Sequence, residues 1–220
     1  MKFQGSAVRG VADMKCASGV PMLLKSGSHS PSVDPSAIIA PNATLVGDVR
    51  IGARCVIGYG ACLIAEGRPV TLGEQVIVRD NAVIRSTANY PVDVGNAVLI
   101  GPHTALFGCT IEDEVFLATG TRVFHLAVVR KGAEVRVNAV VHLKTVVPEG
   151  VTIPIGWIAV GDPARILAPD QHDAIWATQK PLDFPATAYG LARGPDGSVD
   201  MRELTRRLSE SARRHRPEQH

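Results

Sequence analysis

The sequence has few aromatic residues, little net charge and no long apolar run. Phe, Tyr and Trp make up 5% of 220 residues, so the core cannot be built from large rings. The 23 basic and 21 acidic side chains leave a formal charge of +2, too balanced for a surface that grips nucleic acid or another polyanion. No apolar stretch approaches the roughly 18 residues that span a bilayer, and the first residues lack the apolar segment of a secretion signal. Cys16, Cys55, Cys62 and Cys109 form no C-x-x-C pair and no zinc-ribbon spacing, so they read as free thiols in a reducing compartment. These exclusions predict a cytoplasmic protein without membrane or nucleic-acid partners. What remains is 45% hydrophobic, mostly small aliphatics, with 21 Gly and 15 Pro to make turns.

The aliphatic residues recur every six positions: Ile39, Leu45, Ile51, Ile57, Leu63, then Leu72, Val78, Ile84, then Val94, Ile100, Leu106. One residue is dropped, and the series continues from Ile111 through Leu117, Val123, Val129, Val135, Val141 and Val147 to Ile153. A period of six fits neither a 3.6-residue helix nor simple alternation. It fits a short strand and a turn, repeated three times per coil of about eighteen residues, with every sixth side chain pointing into a narrow prism. Branched aliphatics fill such a prism. The predicted fold class is therefore an all-β solenoid, a parallel β-helix of hexapeptide repeats. Two segments break the register, Ile64–Pro69 and Arg85–Pro91, and loops that leave a rigid solenoid are where chemistry or oligomer contacts gather.

The flanks differ. Residues 1–31 read as an N-terminal extension, with Met22 a plausible natural start after a leader of 1–21. Residues 32–167 form the β-helix, and 168–220 a helical extension. Gln171–Gln179 is predicted to be a short helix carrying Ile175 and Trp176. Asp200–Arg214 is predicted to be a longer one, with Met201, Leu204, Leu208 and Ser211 on one stripe and a capping box at Asp200 and Glu203. The arginines of this second helix read as a solvated face. Pro181–Pro185, with Phe184 at its centre, either docks on a partner or ties the tail to its own domain.

The run from Ser32 to Leu167 resembles the gamma-class carbonic anhydrase branch of the hexapeptide-repeat proteins. The likeness rests on Val33-Asp34-Pro35-Ser36-Ala37, Val46-Gly47-Asp48-Val49, Arg79-Asp80-Asn81-Ala82-Val83-Ile84, Gly108-Cys109-Thr110-Ile111 and Gly161-Asp162-Pro163-Ala164. The resemblance implies a left-handed β-helix, a C-terminal helix packed outside it, and a homotrimer with its site between neighbouring chains. It also implies a zinc held by three histidines, and the residues at those positions here are Arg85, Pro102 and Phe107. None of the three offers a lone pair to a metal. The expectation is thus a degenerate zinc site, no metal and no cofactor.

A metal-free intersubunit cleft for a small carboxylate or acyl compound is the leading reading. Arg85, Asp80, Glu66 and His103 are its candidate catalytic residues, because a guanidinium fork holds a carboxylate and an imidazole moves protons near neutrality. Arg79, Tyr90, Phe107 and Cys109 are the candidate substrate-binding residues. His125 and His142, seventeen residues apart and so close to one coil, stack as a surface or interface ladder or, as a weaker alternative, rebuild a metal site. The other readings are a non-catalytic scaffold or assembly subunit, and a hexapeptide acyltransferase with His103 or His142 as base.

Overall fold

The structure, a computed structural model, describes residues 20–214. Most of the expected leader, together with Cys16, His215 and His220, lies outside the described residues. Strands of two or three residues follow one another in a fixed three-beat order and stack into three parallel sheets. Sheet A runs from Met22–Leu24 through Cys62–Ile64, Val83–Arg85, Ala105–Phe107 and Arg122–Val123 to Ile158–Val160. Sheet B runs from Ser32–Val33 to Val146–Val147, and sheet C from Ile38–Ile39 to Thr152–Ile153. An antiparallel strand, Arg165–Leu167, closes sheet A. The solenoid therefore starts ten residues before the expected boundary, because Met22, Leu23 and Leu24 pair in register with Thr44, Leu45 and Val46.

The hexad positions point inward as predicted. Leu45, Leu63, Ile84, Leu106, Val123 and Val141 lie fully buried in the prism beneath sheet A. Ala43, Ala61, Ala82 and Ala139 fill the corner before sheet A, where Thr104 and Thr121 each give their hydroxyl to the Ala118 carbonyl. Those hydrogen bonds offset the cost of taking the two hydroxyls out of water.

The register shows where the repeat is irregular. A coil is 18 residues long from Ile38 to Val56, 21 from Val56 to Ile77 and 22 from Ile77 to Leu99. It shrinks to 17 from Leu99 to Phe116 and returns to 18 from Phe116 to Glu134. Both insertions and the deletion fall where the chain passes from sheet A to sheet B. That A–B edge is thus the irregular edge of the prism, while the C–A edge keeps its turn in every coil. Gly60, Asn81, His103, Gly120, Asn138 and Gly156 occupy successive left-handed positions along it.

Three helices follow the solenoid: α1 (His172–Gln179), α2 (Phe184–Tyr189) and α3 (Met201–Arg214). Ile175 of α1 packs on Val160 and Leu167, which places the helix outside the β-helix as expected. The Asp200 carboxylate accepts the amides of Arg202 and Glu203 and caps α3. The capping box is one-sided, because the Glu203 side chain turns to Arg206 and Arg207 instead.

Candidate functional site

The two insertion loops are tied together at the A–B edge. The fully buried Ser86 hydroxyl donates to the Arg68 carbonyl and accepts the Glu66 amide, and the Arg68 amide donates to the Thr87 carbonyl. This tie sets Glu66 beside Arg85, with Nη1 3.2 Å from Oε2. The Arg85 side chain stays 41% exposed, so most of its five donors remain free for a ligand. Arg85 pairs in register with Phe107 on the next coil, which puts an apolar ring beside the guanidinium.

Below Phe107 the edge becomes a cluster of rings. Phe107 stacks on Phe124 at 5.8 Å between centroids and on His125 at 6.1 Å. Tyr90, from the second insertion loop, meets His125 edge-on at 6.0 Å. Phe184 of α2 covers the far end, with its centroid 5.5 Å from Phe124 and 6.2 Å from both His125 and His142. A flush backbone at Gly108 allows this approach. Its φ is +49°, and an added Cβ would lie 2.6 Å from the Tyr90 Cβ and 3.3 Å from the His125 Cδ2. With Tyr189 packed edge-on against Phe184 at 6.0 Å, a chain poor in aromatics gathers five of them, with two imidazoles, at one edge.

The two histidines are buried and not on a surface ladder, which corrects that expectation. Val123 registers with Val141, so His142 stands opposite Phe124 and not opposite His125. Their Nδ1 atoms are the buried side-chain polar atoms left without a hydrogen-bond partner among the described residues. Burial lowers the pKa of both, that of His142 to about 4. The described residues hold no group of three or more His, Cys, Asp or Glu side chains suited to a metal.

The remaining candidates lie elsewhere. Asp80 and His103 share the C–A edge, where the Asp80 carboxylate accepts the Tyr59 amide at 2.9 Å and the His103 amide donates to the Asp80 carbonyl. Arg79 is exposed there, without an ion pair among the described residues. One chain therefore brings together Glu66, Arg85, Tyr90 and Phe107, and separately Asp80 and His103, with the width of sheet A between the two groups. Cys109 is corrected outright. It sits inside the prism with burial pushing its thiol up to about 12, so it is a core residue and not part of a binding surface. A groove of about 410 Å³ on sheet B, lined by Asp93, Glu112, Asp113 and Lys131 among others, contains none of the predicted residues.

Ser86, Gly108, Phe124, Phe184 and Tyr189 were missed as site residues by sequence reasoning. The coil spacing could have found Phe124, which lies one shortened coil after Phe107. Phe184 had no periodic signal, because it arrives from outside the repeat. Its packing decides the open question about Pro181–Pro185 in favour of a segment that ties the tail to its own domain.

No family model matches the chain. Gamma carbonic anhydrase 1, mitochondrial, of Arabidopsis thaliana is 34% identical over 144 residues, which is 63% of this chain and 50% of that protein. Gamma carbonic anhydrase 2, mitochondrial, of the same plant is 27% identical over 186 residues, covering 81% of this chain and 65% of that protein. This chain thus spans about half to two-thirds of the length of those relatives. Their names place them in mitochondria, so they lend the cytoplasmic expectation no support. An uncharacterized transferase of Bacillus subtilis, YtoA, is 29% identical over 84 residues, which is 38% of this chain and 49% of that protein. Among solved structures, LpxA, a UDP-N-acetylglucosamine acyltransferase from Bacteroides fragilis, superimposes with a TM-score of 0.52 at 16% identity, over 87% of this chain and 90% of that one. The likeness supports the β-solenoid fold. No helix among the described residues is long and apolar enough to cross a membrane.

Proposed function

We propose that this gamma-carbonic-anhydrase-like chain forms a homotrimer and binds a small carboxylate or acyl compound, without a metal, in a cleft between its A–B edge and the C–A edge of the next copy. The half-exposed Arg85 held by Glu66 carries the reading. The guanidinium offers a permanent positive charge and paired donors for a carboxylate, Phe107 supplies an apolar wall, and Tyr90 flanks the wall from its loop.

A zinc ion does not fit these residues. Arg85, Phe107 and Pro102 stand at the three positions where the resemblance puts zinc ligands, and none has a lone pair to give. The proposed chemistry is therefore anion binding, with the next copy's His103 as the group that moves a proton.

The outward faces support self-association. In sheet C, Ile38, Val56, Ile77, Leu99 and Phe116 are registered neighbours facing out, and Ile38 is 65% exposed. Along the C–A edge Tyr59, Val137 and Ile155 are also exposed, Ile155 at 69%. Sheet B carries Arg50, Thr71, Asp93 and Thr110 at the equivalent positions. A continuous apolar face and edge beside a polar one is the pattern of a ring contact between copies. A second reading, a non-catalytic assembly subunit, is favoured by Asp80, whose carboxylate is already committed to the Tyr59 amide.

The test is calorimetric titration with acetate, formate and bicarbonate, together with the metal content of protein prepared without chelator. Arg85→Ala should abolish binding of all three anions. The melting temperature should stay within about 4 °C, since an exposed ion pair contributes about 0–1 kcal/mol and each kcal/mol shifts it by about 2–4 °C. One tightly bound metal per chain, or anion binding unchanged in Arg85→Ala, would overturn the reading. Loss of assembly in that variant without any anion binding by the parent would support the second.

A further inference from the structure

The imidazoles of His125 and His142 are enclosed by rings. His125 is faced by Tyr90 from the second insertion loop, by Phe107 from sheet A and by Phe184 from α2. His142 is faced by Phe124 and Phe184, and Tyr189 packs behind Phe184 at 6.0 Å. The charged groups on the elements around them are Lys144, exposed and with its backbone amide donating to the His125 carbonyl, the Arg85–Glu66 pair on the coil above Phe107, and Asp183 just before Phe184, whose carboxylate accepts the Ala186 and Arg193 amides and lies 3.8 Å from the Arg193 guanidinium. Burial is the cause of the lowered pKa of both histidines, with no charged group contributing.

The enclosure has a definite chemical consequence. A neutral imidazole can keep its proton on Nε2 and leave Nδ1 bare, and a bare Nδ1 is what each enclosure accommodates. Protonation forces an N–H onto Nδ1, where no acceptor waits, and places a cation among rings. The positive charge gains something from the ring faces. It cannot gain a partner for the new N–H unless the cover moves. That cover is Phe184, which both histidines share. It sits in a short helix entered through Asp183, in a left-handed conformation, from the 3-10 turn Lys180–Leu182.

We propose that Pro181–Tyr189 is a lid, latched by the neutral rings of His125 and His142 through Phe184 and released when those histidines take up protons. Acid would then bare the Phe124 end of the A–B edge. The effect on ligand access rests on the cleft proposed above, whereas the motion of the lid does not.

Hydrogen exchange read by mass spectrometry on the full chain, at about pH 7.5 and about pH 4.5, tests the lid. After correction for the chemical exchange rate, amides in 184–190 should exchange at least about tenfold faster in acid, while those of Leu117 and Val135 in the prism stay protected. In the double variant His125→Phe, His142→Phe the lid should keep its protection at both values. Should the double variant not fold, His142→Phe alone should remove the larger part of the acid response. Equal lid protection at both pH values, or an acid response as large in the variants as in the parent, overturns the proposal. No ligand enters this measurement, so a failed latch is distinguished from a failed cleft, which acetate binding at neutral pH tests separately.

Discussion

Replacing Gly108 by Ala should damage the edge far more than the same change at Gly132. Both glycines have positive φ, +49° and +66°. Either alanine therefore meets the left-handed penalty of about 1 kcal/mol. They differ in space. A Cβ on Gly132 has nothing within 4 Å, whereas one on Gly108 falls 2.6 Å from the Tyr90 Cβ. The obstructing atom is bonded directly to the backbone of a loop pinned by Ser86 and Thr87, so it cannot swing aside as the end of a long side chain would. Overpacking of this kind costs roughly 1–3 kcal/mol, which brings Gly108→Ala to about 2–4 kcal/mol against about 1 for Gly132→Ala. At about 2–4 °C per kcal/mol, the control should melt a few degrees below the parent and Gly108→Ala roughly twice to four times as far below. Thermal and urea unfolding followed by circular dichroism measure both, and the Tyr90 and His125 ring resonances should shift in Gly108→Ala alone. Equal losses in the two variants would refute the claim that Tyr90 packs directly over the edge.

Three further outcomes are expected. Ser86→Ala removes the hydroxyl joining the two insertion loops and leaves buried backbone groups unmet; unfolding should show a loss of about 1–3 kcal/mol, with faster proteolysis of the 64–69 loop. Because the folded pKa of His142 lies at about 4 against 6.5 in the unfolded chain, its contribution to stability is full above 6.5 and declines as pH falls toward 4. That decline amounts to about 3 kcal/mol at most, and denaturant midpoints of the parent and His142→Phe should diverge across this window, the variant staying flatter. Ile155→Asp on the exposed C–A edge should shift the sedimentation of the proposed trimer toward monomer while the circular dichroism of the single chain is kept; an unchanged trimer would place the contact elsewhere.

The six-residue spacing of Ile39, Leu45, Ile51 and their successors was enough to read the solenoid, because each hexad must return a branched aliphatic to one narrow axis. The same counting exposed both insertions and the dropped residue, each of which the register reproduces. Two candidates were misplaced. The seventeen-residue spacing that coupled His125 to His142 belongs to the preceding coil, and the following coil has 18 residues, so His142 meets Phe124. Cys109 became a candidate through its closeness to Phe107, a zinc-ligand position of the resemblance, yet its side chain is buried in the prism beside the strand at Thr110–Ile111.

The sequence by itself determined the fold, the absence of lone-pair donors at Arg85, Pro102 and Phe107, and the positions where loops leave the coils. These are local properties, carried by repeat length and side-chain chemistry. Only the tertiary structure decided what the irregular edge brings together, since contacts between distant segments depend on packing around the prism. Tertiary packing also decided that Ser86 joins the two loops, that Asp80 and His103 stand across sheet A from Arg85, and that Phe184 closes over two buried imidazoles. Phe184 lies about forty residues beyond His142, outside any period, and contacts between segments so far apart are set by packing rather than by local sequence.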